Sequence, residues 1–293
     1  MMSKHSIAKN LVRILYPFLK IVFKPILKRH LTVFLFHDVT DTPSIFQKKC
    51  LNYTTLENFQ NCINWISKNY NIIDINQVEQ INAKNSKPVA LITFDDAWTG
   101  QLNIIDSISN LEPLTFFTNL GTSKTGIDIA ALKNYSPSRV PSFGRDVNLE
   151  SDEKTEFSAW QGEIIKFEQF EMFSNKPNVT LANHGYFHYS STELTDEEFL
   201  RNIQINESAL EELGWVQKYF AFPFGKPITD FTLSQVRILK QKGYKLVFAA
   251  DSRLNKLPLI ERDFISRVHF SPQDSKDSDF WWATNKSLLP RKF

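Results

Sequence analysis

Short apolar runs alternate with longer amphipathic segments from residue 31 onward. Residues 32–36 (TVFLF) and 89–94 (VALITF) are apolar runs of strand length, the pattern of strands buried on both faces. Shorter or less regular runs predict six further strands, at residues 71–75, 114–118, 179–182, 219–222, 245–249 and 264–269. Strands that alternate with helices predict an α/β fold with a parallel sheet and helices outside it.

The helix predictions rest on apolar spacings of three or four residues and on capping signals. Thr54-x-x-Glu57 is interpreted as a capping box that opens a helix, and Thr195-x-x-Glu198 as a second one. Further helices are predicted over residues 231–242, which end at a glycine, and over residues 160–173.

The number of strands decides the predicted architecture. Seven or eight parallel strands indicate a closed or nearly closed barrel, and an open doubly wound sheet is the alternative. Residues 31–293 are assigned to this barrel domain, with an insertion around residues 121–178 that lacks a clear strand. A long irregular stretch in a compact domain usually has a function, so we interpret it as a cap over the active-site face.

Residues 1–30 form a separate basic arm. Its apolar positions and its lysines each recur every three or four residues, which predicts an amphipathic helix that Pro17 and Pro25 would kink or break. Lysines inside the segment exclude a membrane span, and the interrupted apolar run makes no convincing signal peptide. Two interpretations stay open: peripheral contact with an anionic membrane surface, or packing on the domain with the lysines in water.

Charge and cysteine content narrow the partners and the compartment. The first 30 residues hold seven basic residues and no acidic one, whereas the whole chain has a net charge of +2, so the body is mildly acidic. No nucleic-acid partner is expected, because that would require a basic face on the folded body. Cys50 and Cys62 are too few for a disulfide framework. We expect a cytoplasmic protein, at the inner membrane surface if the arm binds lipid.

Two adjacent carboxylates end the strand at residues 89–94. Asp95 and Asp96 lie where barrel enzymes place catalytic groups, at the carboxyl end of a strand. Neighbours on an extended chain point apart, so one carboxylate can bind a metal while the other faces the substrate. The alternative is that the pair serves as a helix N-cap.

Three later strands also end in residues that could take part in chemistry. His184 and His188 are four residues apart and would face one metal ion, which commonly takes three protein ligands and a water; chance spacing is the alternative. The turn at Pro223 and Phe224 could aim a backbone N–H into the site. His269 follows the final strand, although a lone histidine in such a place is more often structural.

In this order, the motifs resemble those of the polysaccharide deacetylases, the family-4 carbohydrate esterases with the NodB-homology domain. TFDDA at residues 93–97 is similar to the family's T-F-D-D-G, and HGYFH at 184–188 to its H-[ST]-x-x-H. AFPFG at 221–225 is similar to R-x-P-[YF]-G, and RVH at 267–269 to the last motif, which supplies a histidine. The resemblance covers about residues 31–270 and implies a distorted (β/α)7 barrel.

The resemblance also implies roles for individual residues. Asp95 would be the general base, His269 the general acid, and the backbone N–H of Phe224 would help to hold the oxyanion. A divalent metal, often zinc, would be held by Asp96, His184 and His188. The 88 positions between the second aspartate and the first histidine exceed the usual spacing, which fits the inserted cap.

Three residues depart from the family pattern. Ala97 replaces the motif glycine, a mild change if its φ is negative, and Gly185 replaces a serine or threonine whose hydroxyl could steady the loop. Ala221 stands where many members have an arginine that pairs with the catalytic base. Either Arg262 or Arg267 is expected to substitute for it.

The expected function is the metal-dependent removal of an N-acetyl group from an amino sugar in a polysaccharide or glycan precursor. Such a metal lowers the pKa of its bound water to as little as about 7, which supplies a nucleophile at neutral pH. Two alternatives remain: an O-acetyl esterase or deformylase on the same scaffold, and a catalytically inactive carbohydrate-binding protein.

Overall fold

A curved sheet with helices on its outside forms the centre of the protein. The computed structural model describes residues 4–81, 87–108, 112–174, 176–259 and 262–288. The strands are β1 (His30–Phe36), β2 (Asp38–Val39), β3 (Tyr53–Thr54), β4 (Asn71–Ile72), β5 (Val89–Asp95), β6 (Leu114–Thr118), β7 (Val179–Asn183), β8 (Tyr219–Ala221), β9 (Leu246–Ala249), β10 (Asn255–Lys256), β11 (Ile265–Ser266) and β12 (Val268–His269).

The helices lie between these strands and before the first of them. They are α1 (Lys4–Leu27), α2 (Ile45–Cys50), α3 (Leu56–Asn69), α4 (Gly100–Ile108), α5 (Leu120–Thr125), α6 (Ile129–Tyr135), α7 (Ser151–Gln161), α8 (Glu171–Ser174), α9 (Asp196–Glu212), α10 (Leu233–Gln241) and α11 (Asp277–Asn285). Short 3-10 turns occupy Ile75–Gln80, Pro137–Arg139, Phe167–Phe170, Ser191–Glu193 and Lys286–Leu288. Within the described ranges, no helix is both long enough and apolar enough to cross a bilayer.

The sheet closes on itself through its last two strands. Hydrogen-bonded neighbours follow the order β10-β1-β5-β6-β7-β8-β9-β11, and β12 pairs with β1. Arg267 alone separates β11 from β12; Ile265 of β11 lies opposite Phe248, and Val268 of β12 lies opposite Phe34. β11 and β12 together take the place of one strand, so seven parallel strands form a nearly closed ring. The predicted (β/α)7 barrel is confirmed, and the open doubly wound alternative is wrong.

Alternation along the strands decides which side chains reach the barrel interior. Val89 and Leu91 of β5 belong to one buried apolar cluster with Phe117 of the neighbouring β6 and Phe248 of β9, so these positions line the interior. The alternate residues of β5, Ala90 and Ile92, face the other side of the sheet and pack against the outer helices. Asp95 continues the inward series. The sequence thus carries a carboxylate into the interior at the carboxyl end of the barrel.

The segment between β6 and β7, which contains α5 to α8, packs on the loop that follows β5. The backbone N–H of Ile165 donates to the carbonyl of Ala97 at 2.6 Å, and that of Thr99 donates to Glu163 at 3.2 Å. The hydroxyl of Ser44 reaches the carbonyl of Gln161 at 2.7 Å. The predicted insertion therefore contacts the loops at the carboxyl end of the barrel.

Three predicted helices are present, as α3, α9 and α10; the capping residue predicted for α3 and the single helix predicted over residues 160–173 are wrong. α3 is capped by Thr55, whose hydroxyl accepts from the N–H of Asn58, whereas Thr54 belongs to β3. No single helix spans 160–173, because α7 ends at Gly162 with a φ of 102°. The capping box at Thr195 is present as predicted.

The basic arm forms one uninterrupted helix, α1. It runs from Lys4 to Leu27 through Pro17 and Pro25, so the prediction of a break is wrong. Both prolines lie on the exposed side of the helix. Water can therefore hydrate the carbonyl groups that lose their N–H partners.

Candidate metal centre and active site

The carboxyl ends of β1, β5, β7, β8 and β12 meet at one end of the barrel, here called the mouth. His37 follows β1, Asp96 follows β5, His184 follows β7, and His269 ends β12. The order of strands in the ring makes these ends neighbours although they are distant in the chain. All the motifs singled out in the sequence reach this end, as parallel barrels require.

Asp96, His184 and His188 form a compact, buried group. Oδ1 of Asp96 lies 3.6 Å from Nε2 of His184 and 3.4 Å from Nε2 of His188, and one ligand atom of each residue lies within 4.8 Å of the others. Tetrahedral ligands at about 2.0–2.1 Å from a zinc ion lie roughly 3.3 Å from one another. The spacing therefore fits three ligands of one divalent ion.

The hydrogen bonding of Asp96 leaves one oxygen free for such an ion. Nε1 of the buried Trp98 donates to Oδ2 at 2.9 Å, whereas Oδ1 is buried without a hydrogen-bond partner among the described residues. A buried carboxylate oxygen without a partner is costly. A cation beside Oδ1 would remove that cost, so the residues fit a metal.

Both histidines are oriented through their second ring nitrogen. Nδ1 of His184 lies 2.7 Å from the carbonyl oxygen of Ala221, which can only accept, and so Nδ1 carries the proton. Nδ1 of His188 lies 2.9 Å from Oδ2 of the buried Asp128. In the neutral form of each ring, Nε2 has a lone pair that faces Asp96, which is the arrangement of metal-bound histidines; His188 reaches this form when it gives up its second proton.

Asp128 is a candidate site residue that the sequence reasoning missed. It is fully buried, and its Oδ1 accepts from the N–H groups of Ala130 and Ala131, which caps α6. Its own N–H donates to Oε1 of Gln161 at 2.7 Å. An aspartate before a helix is the usual sign of an N-cap, and no signal in the sequence connects it to His188, 60 residues later.

The opposite charges in this group stabilise the ionised forms of His188 and Asp96. Burial would lower the pKa of His188, but the carboxylates of Asp128 and Asp96 outweigh it and raise that pKa to about 9. Burial would raise the pKa of Asp96, but His188 and His184 hold it well below its usual range. The ligand-free group is therefore an ion pair, and a metal would displace the proton from His188.

Asp95 is held by Arg267 rather than by Arg262. Nη1 and Nη2 of the buried Arg267 donate to the two carboxylate oxygens at 2.5 and 2.6 Å. Burial would raise the pKa of Asp95, but Arg267 and His184 keep it below its usual range. Arg262 is exposed and lines a cavity with Val78 and other residues at the opposite end of the barrel. The expectation for Arg262 is therefore wrong.

The two aspartates do not point apart. Asp96 has a φ of 67°, which ends the extended alternation of β5 directly after Asp95. As a result, Oδ2 of Asp95 also lies close to Nε2 of His184, at 3.7 Å. Asp95 thus lies next to the candidate metal position, where it can contact a water molecule bound there.

Two departures from the family pattern have local explanations. Ala97 is not among the residues with positive φ, so it needs no glycine. Gly185 has a φ of 81°, and a Cβ there would lie 2.7 Å from Nδ2 of Asn202. Asn202 fixes this loop instead of a hydroxyl, because its side chain bonds both the N–H and the carbonyl of Phe187.

The turn after β8 brings Phe224 to the mouth, beside His188. Phe224 has a φ of 60°, and its ring stacks on that of His188 with centroids 4.9 Å apart and an angle of 8°. Gly225 bonds back to the carbonyl of Pro223 at 2.6 Å. The N–H of Phe224 bonds to no other described residue, so it is available to a ligand beside His188. Its role stays a prediction.

His269 stands next to a second histidine, His37. The two rings meet edge to face with centroids 5.4 Å apart, and Nδ1 of His37 is buried without a partner among the described residues. Burial and the neighbouring His37 lower the pKa of His269 to about 3. Burial likewise lowers the pKa of His37. Both rings are therefore neutral at pH 7, and the acid role of His269 stays a prediction.

Comparisons with known proteins agree with this arrangement. The family model described as polysaccharide deacetylase matches residues 82–247, more than half of the chain. No curated protein sequence matches. Among solved structures, IcaB from Ammonifex degensii has a TM-score of 0.61 at 18% identity, with 87% of this chain and 97% of that chain covered.

Two further solved structures share the fold. The Streptococcus pyogenes deacetylase PplD, in complex with acetate, has a TM-score of 0.60 at 12% identity and covers 87% of this chain and 98% of its own. A de-N-acetylase from Aggregatibacter actinomycetemcomitans has a TM-score of 0.57 at 14% identity, with coverages of 89% and 100%. At these identities the likeness shows the fold alone.

Proposed function

This chain belongs to the polysaccharide deacetylase family, and on that premise we propose that it removes N-acetyl groups from an amino sugar in a polysaccharide or glycan precursor. Family membership makes it a hydrolase of acetylated carbohydrate. The proposal adds the bond that is broken, the dependence on a metal and the roles of individual residues. Zinc is the proposed ion, because one carboxylate and two imidazoles are a usual zinc ligand set.

One observation carries the proposal. Oδ1 of Asp96 is buried and has no hydrogen-bond partner among the described residues. It lies within 3.6 Å of the Nε2 atoms of two imidazole rings, each of which is held by a hydrogen bond at its Nδ1. Asp95 lies next to this group, with both its oxygens held by Arg267. A protein that only bound carbohydrate would have no need of a buried charge cluster of this kind, which is costly to form.

The chemistry assigns a separate task to each residue. When bound, a divalent ion supplies a water of lowered pKa and polarises the acetyl carbonyl group. Asp95 accepts the proton of the attacking water, and Arg267 keeps its carboxylate ionised and in place. The N–H of Phe224 donates to the carbonyl oxygen as negative charge develops on it. His269, neutral before substrate binds, takes up the proton that Asp95 removed from the water and delivers it to the leaving nitrogen, so that the C–N bond breaks with release of the amine and acetate.

The proposal is tested by acetate release from N-acetylglucosamine oligomers by the zinc-loaded protein and its Asp95→Asn variant. The variant should lose about 10²–10⁴-fold in rate, because general-base catalysis contributes that much, while its zinc content stays unchanged. Asp74→Asn is the matched control, since Asp74 only caps the turn Ile75–Gln80 at the other end of the barrel. Its rate should equal that of the parent protein.

Two results would contradict the proposal. If the zinc-loaded parent protein bound the oligomers but released no acetate, the inactive carbohydrate-binding alternative would stand. If it released acetate only from O-acetylated sugars, the esterase alternative would stand. Equal rates for the parent protein and Asp95→Asn would remove Asp95 from the mechanism.

A further inference from the structure

α1 has two apolar faces, of which the fold uses one. On the inner face, Val12 and Leu27 are buried, and Phe23 meets Trp281 edge to face with centroids 5.4 Å apart. The hydroxyl of Tyr16 accepts from Nε1 of Trp65 at 3.3 Å. These contacts fix α1 along the side of the barrel.

Ion pairs hold the amino-terminal half of the same helix. Nζ of Lys9 lies 2.8 Å from Oδ1 of Asp274, and Nε of Arg13 lies 3.0 Å from Oδ1 of Asp279. Both aspartates lie beyond the end of β12, near the mouth. The inner face and these ion pairs fix the position of α1 and give a structural role to two of its basic residues. They give no role to the outer face of the helix or to its later lysines.

The outer face of α1 exposes a continuous apolar surface. Ile14, Phe18 and Ile21 are 76%, 65% and 73% exposed. Among the α1 residues whose side chains the structure describes, the exposed large apolar ones are Leu11, Ile14, Leu15, Phe18, Ile21, Val22 and Ile26. At about 100° per residue they fall within an arc of roughly 140°, along about 22 Å of helix. Single exposed apolar residues are ordinary, but a contiguous patch of this kind indicates an interaction surface.

Lysines border this apolar surface along one edge. Lys20, Lys24 and Lys28 follow at intervals of one turn, between the inner and outer faces. Lys20 and Lys24 also line a cavity of about 220 Å³ between α1 and α3, together with Lys68 of α3 and Lys87, which precedes β5. None of these lysines forms an ion pair with a described residue. The cavity therefore concentrates unpaired positive charge beside an apolar helix face.

We propose that α1 lies in the interface of an anionic lipid bilayer, with its outer face among the acyl chains and the lysine-lined cavity at the level of the head groups. An apolar face bordered by lysines is the composition of interfacial helices. The inner face stays on the barrel, so the helix lies along the surface. A second copy of the chain is a poorer occupant, because α1 has no acidic residue that could pair with the lysines of its partner across a symmetric contact.

Flotation with lipid vesicles tests the proposal on the full-length protein. Vesicles of phosphatidylcholine and phosphatidylglycerol should bind the protein, and vesicles of phosphatidylcholine alone should bind it much more weakly. Lys20→Gln combined with Lys24→Gln should weaken binding roughly 30-fold, at about fivefold per lysine, and added salt should weaken binding by the parent protein. Replacing Ile14, Phe18 and Ile21 by glutamine should weaken it more than about 100-fold.

A matched variant tests whether the loss of vesicle binding is specific to the apolar residues on α1 or follows from removing exposed apolar residues anywhere on the protein. Val216 and Ile228 are 71% and 89% exposed and lie outside α1, so their replacement by glutamine should leave vesicle binding unchanged. Because the three residues on α1 are also exposed, their replacement should leave the melting temperature and the acetate-release rate unchanged.

The proposal is overturned if the parent protein does not float with anionic vesicles, or if the triple variant floats as well as the parent. It is also overturned if light scattering shows a dimer that the triple variant abolishes, because the outer face would then cover a second copy of the chain. None of these results bears on acetate release, so they leave the proposed function untouched.

Discussion

Replacing Asp128 by asparagine tests how the candidate ligand His188 is oriented. Oδ1 of Asp128 caps α6 through Ala130 and Ala131, so Oδ2 is the oxygen that faces Nδ1 of His188, at 2.9 Å. Asparagine is also a good N-cap and would keep its oxygen on the helix. Its NH2 group would then face Nδ1, where two donors cannot pair. His188 would respond by carrying its proton on Nε2, the nitrogen that faces Asp96.

The size of the effect follows from this geometry. Loss of a carboxylate partner behind a metal-bound histidine typically costs 10–100-fold in metal affinity, or about 1.4–2.7 kcal/mol. Asp128→Ala should show a similar loss and, in addition, a lower free energy of unfolding by about 1 kcal/mol, since it removes the cap as well. The two variants therefore separate the electrostatic role of Asp128 from its structural role.

The assay is competition for zinc against a chromogenic chelator at neutral pH, with the free energy of unfolding measured in parallel. Asp74→Asn serves as the control, because Asp74 caps the turn Ile75–Gln80 through the N–H of Asn76 at 2.7 Å, far from the mouth. Zinc affinity equal to that of the parent protein in Asp128→Asn would refute the reasoning. The hydrogen bond to Asp128 would then not set the tautomer of His188.

Three further predictions concern the other charged groups at the mouth. Arg267→Met should lower the free energy of unfolding of the metal-free protein by about 3–5 kcal/mol, because Asp95 would be left as an unpaired buried charge, and the loss should shrink near pH 5, where Asp95 can protonate; an equal loss at both pH values would refute this. His269→Gln should slow hydrolysis of the amide about 100-fold and that of p-nitrophenyl acetate far less, because the phenolate leaves without a proton; equal losses would exclude His269 as the acid. The pKa of His188 is raised to about 9 in the folded protein, against 6.5 unfolded, so its stabilising charge is complete below pH 6.5 and is lost as the pH rises through 9. In the presence of a chelator the melting temperature should therefore fall over that range in the parent protein more than in His188→Gln.

The strands and the ligand set could be predicted from sequence because their signals are local. A continuous apolar run such as residues 89–94 can only be buried on both faces, and the carboxyl ends of parallel strands must share one end of a barrel. Those two facts are enough to place Asp96 and His184 together at the mouth. The spacing of His184 and His188 lies within one loop, so it could also be found in the sequence.

The parts that could not be predicted depend on contacts between distant segments. Asp128 lies in a stretch without regular periodicity, and only the packing of α6 and α7 on the mouth brings it to His188. The choice between Arg262 and Arg267 depended on the register of β11 with β9, which the sequence does not specify. α1 was expected to kink or break at its prolines, because local propensity does not reveal that both would face water.

Closure of the barrel and ionisation of the catalytic base depend on the same arginine. Arg267 links the two-residue ladder of β11 with β9 to the two-residue ladder of β12 with β1, and its guanidinium holds Asp95. A seam this short is where a ring opens at the lowest free energy. Heat or denaturant should therefore separate these two short strand pairings while the remaining strands stay paired. Activity should then be lost at a lower temperature or denaturant concentration than the one that unfolds the whole protein.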